Sequence, residues 1–143
     1  MHVTVLREDG ERTFLVVFEP GDRIVEELTG FARDRGVTAA RVQGIGAVSR
    51  AELGFYQPDR RDYDRWTEGH QEILSITGNL SLEGADHRAH LHVVLGAEDG
   101  SARGGHLFEG TVGPTLEVFV VENPGREIRR ERDEDRGLSV IRP

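Results

Sequence analysis

His90 and His92 stand one residue apart in the segment Ala89-His90-Leu91-His92-Val93-Val94-Leu95-Gly96, and His106 follows a glycine pair, Gly104-Gly105. On a β-strand alternate side chains share a face, so the first two imidazoles point the same way, about 6.5–7 Å apart. Two rings at that separation can converge on one metal ion with bonds of about 2.0–2.1 Å. Leu91, Val93 and Leu95 take the opposite face, which suits a core. The segment therefore reads as a strand with one apolar side and one side committed to chemistry.

Whether His106 joins the pair depends on the turn between the two strands. A two-residue hairpin at Asp99-Gly100 sets His106 opposite Val93, on the wrong face. One more residue in the loop, or a bulge at Gly104-Gly105, sets it opposite His92 instead. Adjacent glycines suit a bulge because they adopt positive φ without steric cost.

Three imidazoles on one ion leave a coordination position open for water, ligand or substrate. The chain has no cysteine, so a metal here has nitrogen and oxygen ligands. Zinc is the default for neutral imidazoles, and iron, nickel and copper also suit them. The competing reading is three polar residues on a solvated or subunit-facing side of a sheet. Glu72 begins the preceding strand and is a catalytic candidate, as a base or a hydrogen-bond partner for a ligand imidazole; the competing role is an exposed strand-end acid. His87 has the wrong parity to join the cluster and His70 falls in a loop, so both are expected at the surface. Gly44-Ile45-Gly46 lacks the third glycine and following helix of a phosphate loop; a bulge or close backbone packing fits it better.

Those residues need strands to position them. Val3 to Arg7 and Phe14 to Phe18 read as a hairpin turning at Glu8-Asp9-Gly10, and Pro20-Gly21-Asp22 opens a helix with Asp22 as N-cap. Ile24, Val25, Leu28, Phe31 and Ala32 form its apolar stripe, and Gly36 ends it. Further strands are expected at Ala40–Ile45, Ala51–Tyr56, Glu72–Leu82, His87–Gly96, Leu107–Val112 and Thr115–Glu122. The insert from Gln57 to His70, polar and carrying Trp66, reads as a surface loop or lid. Gly125 to Gly137 carries five arginines against five acids and reads as a solvated charged segment. One helix among many strands with hairpin-length connections predicts an α+β domain on a largely antiparallel sheet.

A chain of 143 residues suits one domain with a real core: a single domain over 1–143, its core about 13–122 and a charged C-terminal segment over 123–143. The net charge of −8 disfavours nonspecific nucleic-acid binding, which draws on basic groups at phosphates. The N-terminus has no signal-peptide pattern and no stretch has the length of a membrane span, so a cytoplasmic location is expected, with no membrane partner.

Several motifs then line up in order. Gly44-Ile45-Gly46-Ala47-Val48 precedes Leu53-Gly54-Phe55-Tyr56, Glu72-Ile73-Leu74-Ser75-Ile76-Thr77-Gly78-Asn79-Leu80 and His90-Leu91-His92-Val93. Gly104-Gly105-His106-Leu107, Gly110-Thr111-Val112 and Glu117-Val118 complete the set. Together they resemble the plants-and-prokaryotes-conserved (PPC) domain family in its standalone prokaryotic form, over roughly Thr13 to Glu122. The resemblance implies an α/β fold on an antiparallel sheet, a homotrimer, and a bound metal at the three histidines. Plant members accompany AT-hook motifs in nuclear proteins and prokaryotic ones are often labelled DNA-binding, but no Arg-Gly-Arg-Pro core exists here. A cupin comparison starts from Gly84 and His90-x-His92 and then fails, since Glu98 is misplaced and the later Pro-x-Gly and final histidine are missing.

The expectation is a homotrimer that binds a divalent metal, zinc by default, through His90, His92 and His106, with a small-molecule ligand-binding, sensing or scaffold role. The alternatives are a DNA-associated regulator and a metal-dependent hydrolase or lyase. Salt-sensitive DNA binding or metal-dependent turnover would separate them.

Overall fold

Strict alternation of buried and half-exposed residues marks the strands. In β2 (Arg12–Phe18), Phe14, Val16 and Phe18 are buried, every second residue, as a half-buried strand requires. The computed structural model describes residues 1–7 and 9–142. β1 (His2–Arg7) pairs with β2 as the expected hairpin. Of its expected turn, Glu8 lies outside the described residues, and Gly10 has φ 76°.

The helix α1 (Ile24–Arg35) buries Ile24, Leu28, Phe31 and Ala32, one stripe at helical spacing. Phe31 meets Phe14 edge-on at 5.2 Å between ring centroids, which seats the helix on the sheet. Gly36 ends it in the left-handed conformation, φ 64°, as its position predicted. The start differs from expectation. The N-cap residue is Arg23, and no side chain at that position caps the helix. Asp22 instead accepts from the Glu19 amide at 2.9 Å. The exposed helix amides are met from across the fold: Glu109 accepts from Val25 N at 2.9 Å and Glu26 N at 3.2 Å. A carboxylate there satisfies orphan donors and complements the helix dipole.

Two pairs of expected strands prove to be single long ones. β3 (Ala40–Gln57) joins the segments expected at Ala40–Ile45 and Ala51–Tyr56. β7 (Ala102–Glu122) joins Leu107–Val112 and Thr115–Glu122 and extends to include Ala102. Their mutual pairing runs from Ala40↔Glu122 to Gly54↔His106, with register shifts at Gly46/Val48, Val48/Arg50 and Glu52/Leu53. Such irregularities bend a strand without ending it, which is why glycine and proline here do not terminate strands. At Gly44 and Gly46 a Cβ would lie 2.4 Å from the carbonyl oxygens of Glu117 and Thr115. Close backbone packing, not phosphate binding, is the role these glycines fill.

The expected loop or lid at Gln57 to His70 is mostly strand. β4 (Asp62–Glu68) folds back on β3, pairing Ala51↔Glu68 through Gln57↔Asp62. β5 (Gln71–Glu83) pairs with β3 on one edge and β6 (Asp86–Gly96) on the other. The charged tail is also folded, contrary to a solvated segment. β8 (Arg129–Asp133) and β9 (Leu138–Ile141) form an antiparallel pair, and β8 continues the β5 edge in parallel at Leu82↔Arg129.

The pairing closes on itself through β3, β5, β6 and β7, and the sheet is antiparallel apart from that short β5–β8 contact. The α+β, largely antiparallel layout with one main helix is the expected one. Among the described residues no helix is long and apolar enough to cross a membrane.

Candidate metal centre

The turn between β6 and β7 decides the site. Ala97 N donates to Ser101 O at 2.9 Å and Gly100 N to Ala97 O at 2.9 Å, with Gly100 at φ 81°. This is a three-residue loop ending in a left-handed glycine. The added residue sets His92 opposite His106, Val93 opposite Gly105 and Gly96 opposite Ala102, with unbroken register between. Of the two routes the sequence allowed, the loop supplies the shift and the glycine pair contributes no bulge. Gly105 instead lets strands approach, since a Cβ there would lie 2.8 Å from Gly54 O.

Pairing of β6 with β7 stops at His92↔His106. Beyond it β6 stays with β5, Asn79↔His90, while β7 follows β3, Gly54↔His106. The histidines therefore sit where two strands part and a cleft opens. Ring centroids lie 5.3 Å apart for His90–His92, 5.1 Å for His90–His106 and 5.5 Å for His92–His106. One ring nitrogen of each lies within 4.8 Å of the others. Leu91, Val93 and Leu95 are buried on the opposite face, as alternation required.

β4 and β7 supply the wall. Tyr63 packs on His106 at 5.1 Å, and Phe108 lies edge-on to His106 at 4.7 Å. Arg65 covers the outer face of Phe108, its guanidinium carbon 3.6 Å from the ring centroid. This packing half-buries His106 and leaves its Nδ1 buried without a hydrogen-bond partner. Burial, then the positive charge of Arg130 and the neighbouring His92, pulls the His90 pKa down to about 4. Burial, then His90 and His92, does the same for His106, also to about 4. Both rings are neutral at pH 7, the form that binds a metal.

Arg130 was not singled out by sequence, because its neighbours Arg129, Glu131 and Arg132 resemble any solvated run. It is only 8% exposed. Its guanidinium donates to Ser81 Oγ at 3.0 Å, Ser139 O at 3.1 Å, Asn79 Oδ1 at 2.8 Å and His90 Nδ1 at 3.0 Å. The apolar run Leu138-Ser139-Val140-Ile141 was the available sign that the tail folds. Tyr63 and Phe108 gave no sign, since nothing local places them beside His106.

The other expected residues fall elsewhere. Glu72 is exposed and lines a separate groove with Ile45, Leu74 and Pro114. It pairs with Gly96 whereas His92 pairs with Thr77, so it stands about 16 Å along the strand from the cluster. His70 is exposed, its Nδ1 3.1 Å from Val48 O. His87, expected at the surface, is half-buried and lines the same cleft as His90, with its Nε2 buried and unpartnered. Its parity does keep it off the triad.

A plant- and prokaryote-conserved protein from Pyrococcus horikoshii is 29% identical, with a TM-score of 0.86 over 99% of this chain and 95% of that one. A metal-containing protein from Archaeoglobus fulgidus is 32% identical, with a TM-score of 0.86 over 99% and 97%. A Bacteroides thetaiotaomicron protein, named as a candidate DNA-binding protein, is 29% identical, with a TM-score of 0.85 over 98% and 96%. Curated proteins give no significant match. The model of the Plants and Prokaryotes Conserved (PCC) domain matches residues 6–124, and with the fold and the ordered motifs this establishes that the chain belongs to that family.

Proposed function

We propose that this chain is a metal-binding member of its family, a homotrimer holding one divalent ion per subunit through His90, His92 and His106 for a ligand-binding, sensing or scaffold role. The observation that carries this reading is the cluster itself: three ring nitrogens within 4.8 Å of one another, two of the rings held neutral by burial. The unpartnered, buried His106 Nδ1 adds to it, because a buried polar atom without a protein partner calls for one from outside. Similarity to the metal-containing A. fulgidus protein points the same way.

Zinc is the default ion for three imidazoles, and when bound it supplies a Lewis-acidic open position. Around that position Tyr63 and Phe108 limit access of water to His106, and Arg130 donates to His90 in the metal-free chain. The carboxylate that lines the cleft, Glu83, is engaged by Ser139 Oγ and Arg88, and Glu72 is remote, so the reading stops at binding rather than at hydrolysis or lyase chemistry. DNA association is the competing reading, supported by the description of the B. thetaiotaomicron relative. The net charge of −8 and the missing Arg-Gly-Arg-Pro core weigh against direct contact with phosphates. Absence of a gel shift at low salt would remove it.

The homotrimer reading rests on the family resemblance and on apolar side chains left at the surface. Ile45, Leu74 and Phe119 are exposed on neighbouring strands β3, β5 and β7, and Phe55 and Val94 are exposed beside His92. Apolar residues gathered in this way mark interaction surfaces.

Element-resolved mass spectrometry on tag-free protein, beside His92→Ala, tests the metal. Near-stoichiometric metal that is lost in the variant is the expected result. No uptake after zinc and iron are offered would overturn the assignment and leave the histidines a structural role. Light scattering tests the assembly, with three times 15.9 kDa expected and a monomeric mass refuting it.

A further inference from the structure

The cleft that opens where β6 and β7 part is positive in an acidic protein. Arg65, Arg88, Arg130 and Arg132 line it, against a single carboxylate, Glu83, while the chain as a whole carries −8. Arg65, Arg88 and Arg132 have acidic partners, at 3.2 Å (Glu52), 3.6 Å (Glu83) and 3.7 Å (Glu134). Arg130 is the most buried of the four, and among the described residues no carboxylate lies within ion-pair distance of it. Glu83 offsets part of its charge from beyond ion-pair distance and is itself engaged by Ser139 Oγ and Arg88. A buried guanidinium whose direct acceptors are all neutral is under-compensated, a costly arrangement that an anionic occupant relieves.

Hydrogen-bond counting at His90 says where the occupant meets Arg130. A guanidinium only donates, so His90 Nδ1 accepts from Arg130 Nη2 at 3.0 Å and the ring proton is on Nε2. A metal taken by Nδ1 displaces that donor directly. A metal taken by Nε2 moves the ring proton to Nδ1, which then faces Nη2 donor to donor. Either way, short of a second deprotonation of the ring, a metal held at His90 would free an Arg130 N–H at the wall of the cleft. The cleft has a volume of about 790 Å³ and an apolar side formed by Val25, Phe108, Leu138 and Val140. That is room for an organic molecule rather than a bare inorganic ion.

We propose that this cleft binds a small organic carboxylate, its charge met by Arg130 and one oxygen taking the open position on the metal held by the three histidines. The planar guanidinium fork matches a carboxylate in geometry as well as in charge. This inference rests on the metal reading above.

The test loads the full-length chain with cobalt(II) and titrates benzoate while following the visible cobalt bands, with inorganic phosphate as a second arm. Benzoate is expected to shift the bands saturably and to raise the thermal midpoint of the cobalt-loaded protein but not of the metal-free one. Arg130→Gln should keep its cobalt and weaken benzoate by about tenfold or more. Arg130→Lys should fall between the two, since it keeps charge and loses the fork. Arg41→Gln, away from the cleft, serves as the control. If Arg130→Gln does not fold, the metal-dependent benzoate stabilisation of the wild type decides instead. Failure to take up cobalt overturns the metal reading and this inference together. Cobalt uptake with no benzoate response, a response to phosphate in place of benzoate, or unchanged benzoate affinity in folded Arg130→Gln overturns this inference alone.

Discussion

Gly78→Ala should damage the metal site without touching a histidine. Gly78 lies in β5 opposite Leu91, and a Cβ built there falls 2.0 Å from the backbone oxygen of His90 and 3.0 Å from Leu91 Cα. Real Cβ atoms essentially never approach closer than 3.0 Å, so β6 must retreat by about 1 Å at the residue that carries one of the three imidazoles. Metal-ligand distances tolerate about 0.2 Å. The displacement is several times that, and side-chain rotation can recover only part of it. The expected loss in metal affinity is about 10–100-fold, the range found when the groups that orient ligands are disturbed. Overpacking a strand contact should cost about 1–3 kcal/mol, which for a chain of this size is about 3–10 °C in Tm. The assay is competitive chelator titration on protein shown to be folded by circular dichroism, alongside thermal melts. Wild-type affinity in a folded Gly78→Ala protein would refute the claim that the β5–β6 contact sets the position of His90.

Three further outcomes follow from the same structure. Gly30→Ala, inside α1 with only Arg33 Nη2 near its Cβ at 3.6 Å, should stabilise the fold by about 0.5–1 kcal/mol, read as a raised urea midpoint with unchanged metal content. Glu109→Ala removes the acceptor for Val25 N and Glu26 N and should destabilise by about 1–2 kcal/mol, with Glu109→Gln recovering part of it; an unchanged midpoint would show that water caps the helix equally well. In metal-free protein, His90 and His106 stay neutral down to about 4, whereas the unfolded chain takes up their protons near 6.5. The unfolded state thus binds more protons across that window, so stability should fall as pH drops from about 6.5 to about 4, and these two groups should give no slope above it. Urea midpoints across that range, compared with His90→Gln/His106→Gln, check the sign; equal slopes would contradict it.

The apolar half of the fold is legible locally. Phe14, Val16 and Phe18 alternate, and Ile24, Leu28, Phe31 and Ala32 recur at helical spacing, so side-chain periodicity alone identifies a strand and a helix and their buried faces. The same parity places His90 and His92 on one side of β6 and Leu91, Val93 and Leu95 on the other. Strand continuity was not legible. The expected strands left gaps at 46–50 and 113–114, yet cross-strand pairing carries β3 and β7 through them with shifted register. The polar Gln57–His70 insert read as loop, yet β3 offers β4 a free edge to pair with, and that gain is invisible in the insert's own composition.

The shared face of His90 and His92, the candidacy of His106 and the family were therefore legible in sequence, because they depend on residue type, on a period of two along a single strand and on the order of the motifs. Tertiary structure alone decided the rest. The three-residue loop at Glu98 to Gly100 chose the register that brings His106 to His92, a choice of one residue that parity rules leave open. It also folded a charged tail back along β5, burying Arg130 against His90 across forty positions of chain. Hydrogen bonds between residues so far apart leave no local pattern, because their partners are set by which strand edges remain unpaired once the sheet has closed.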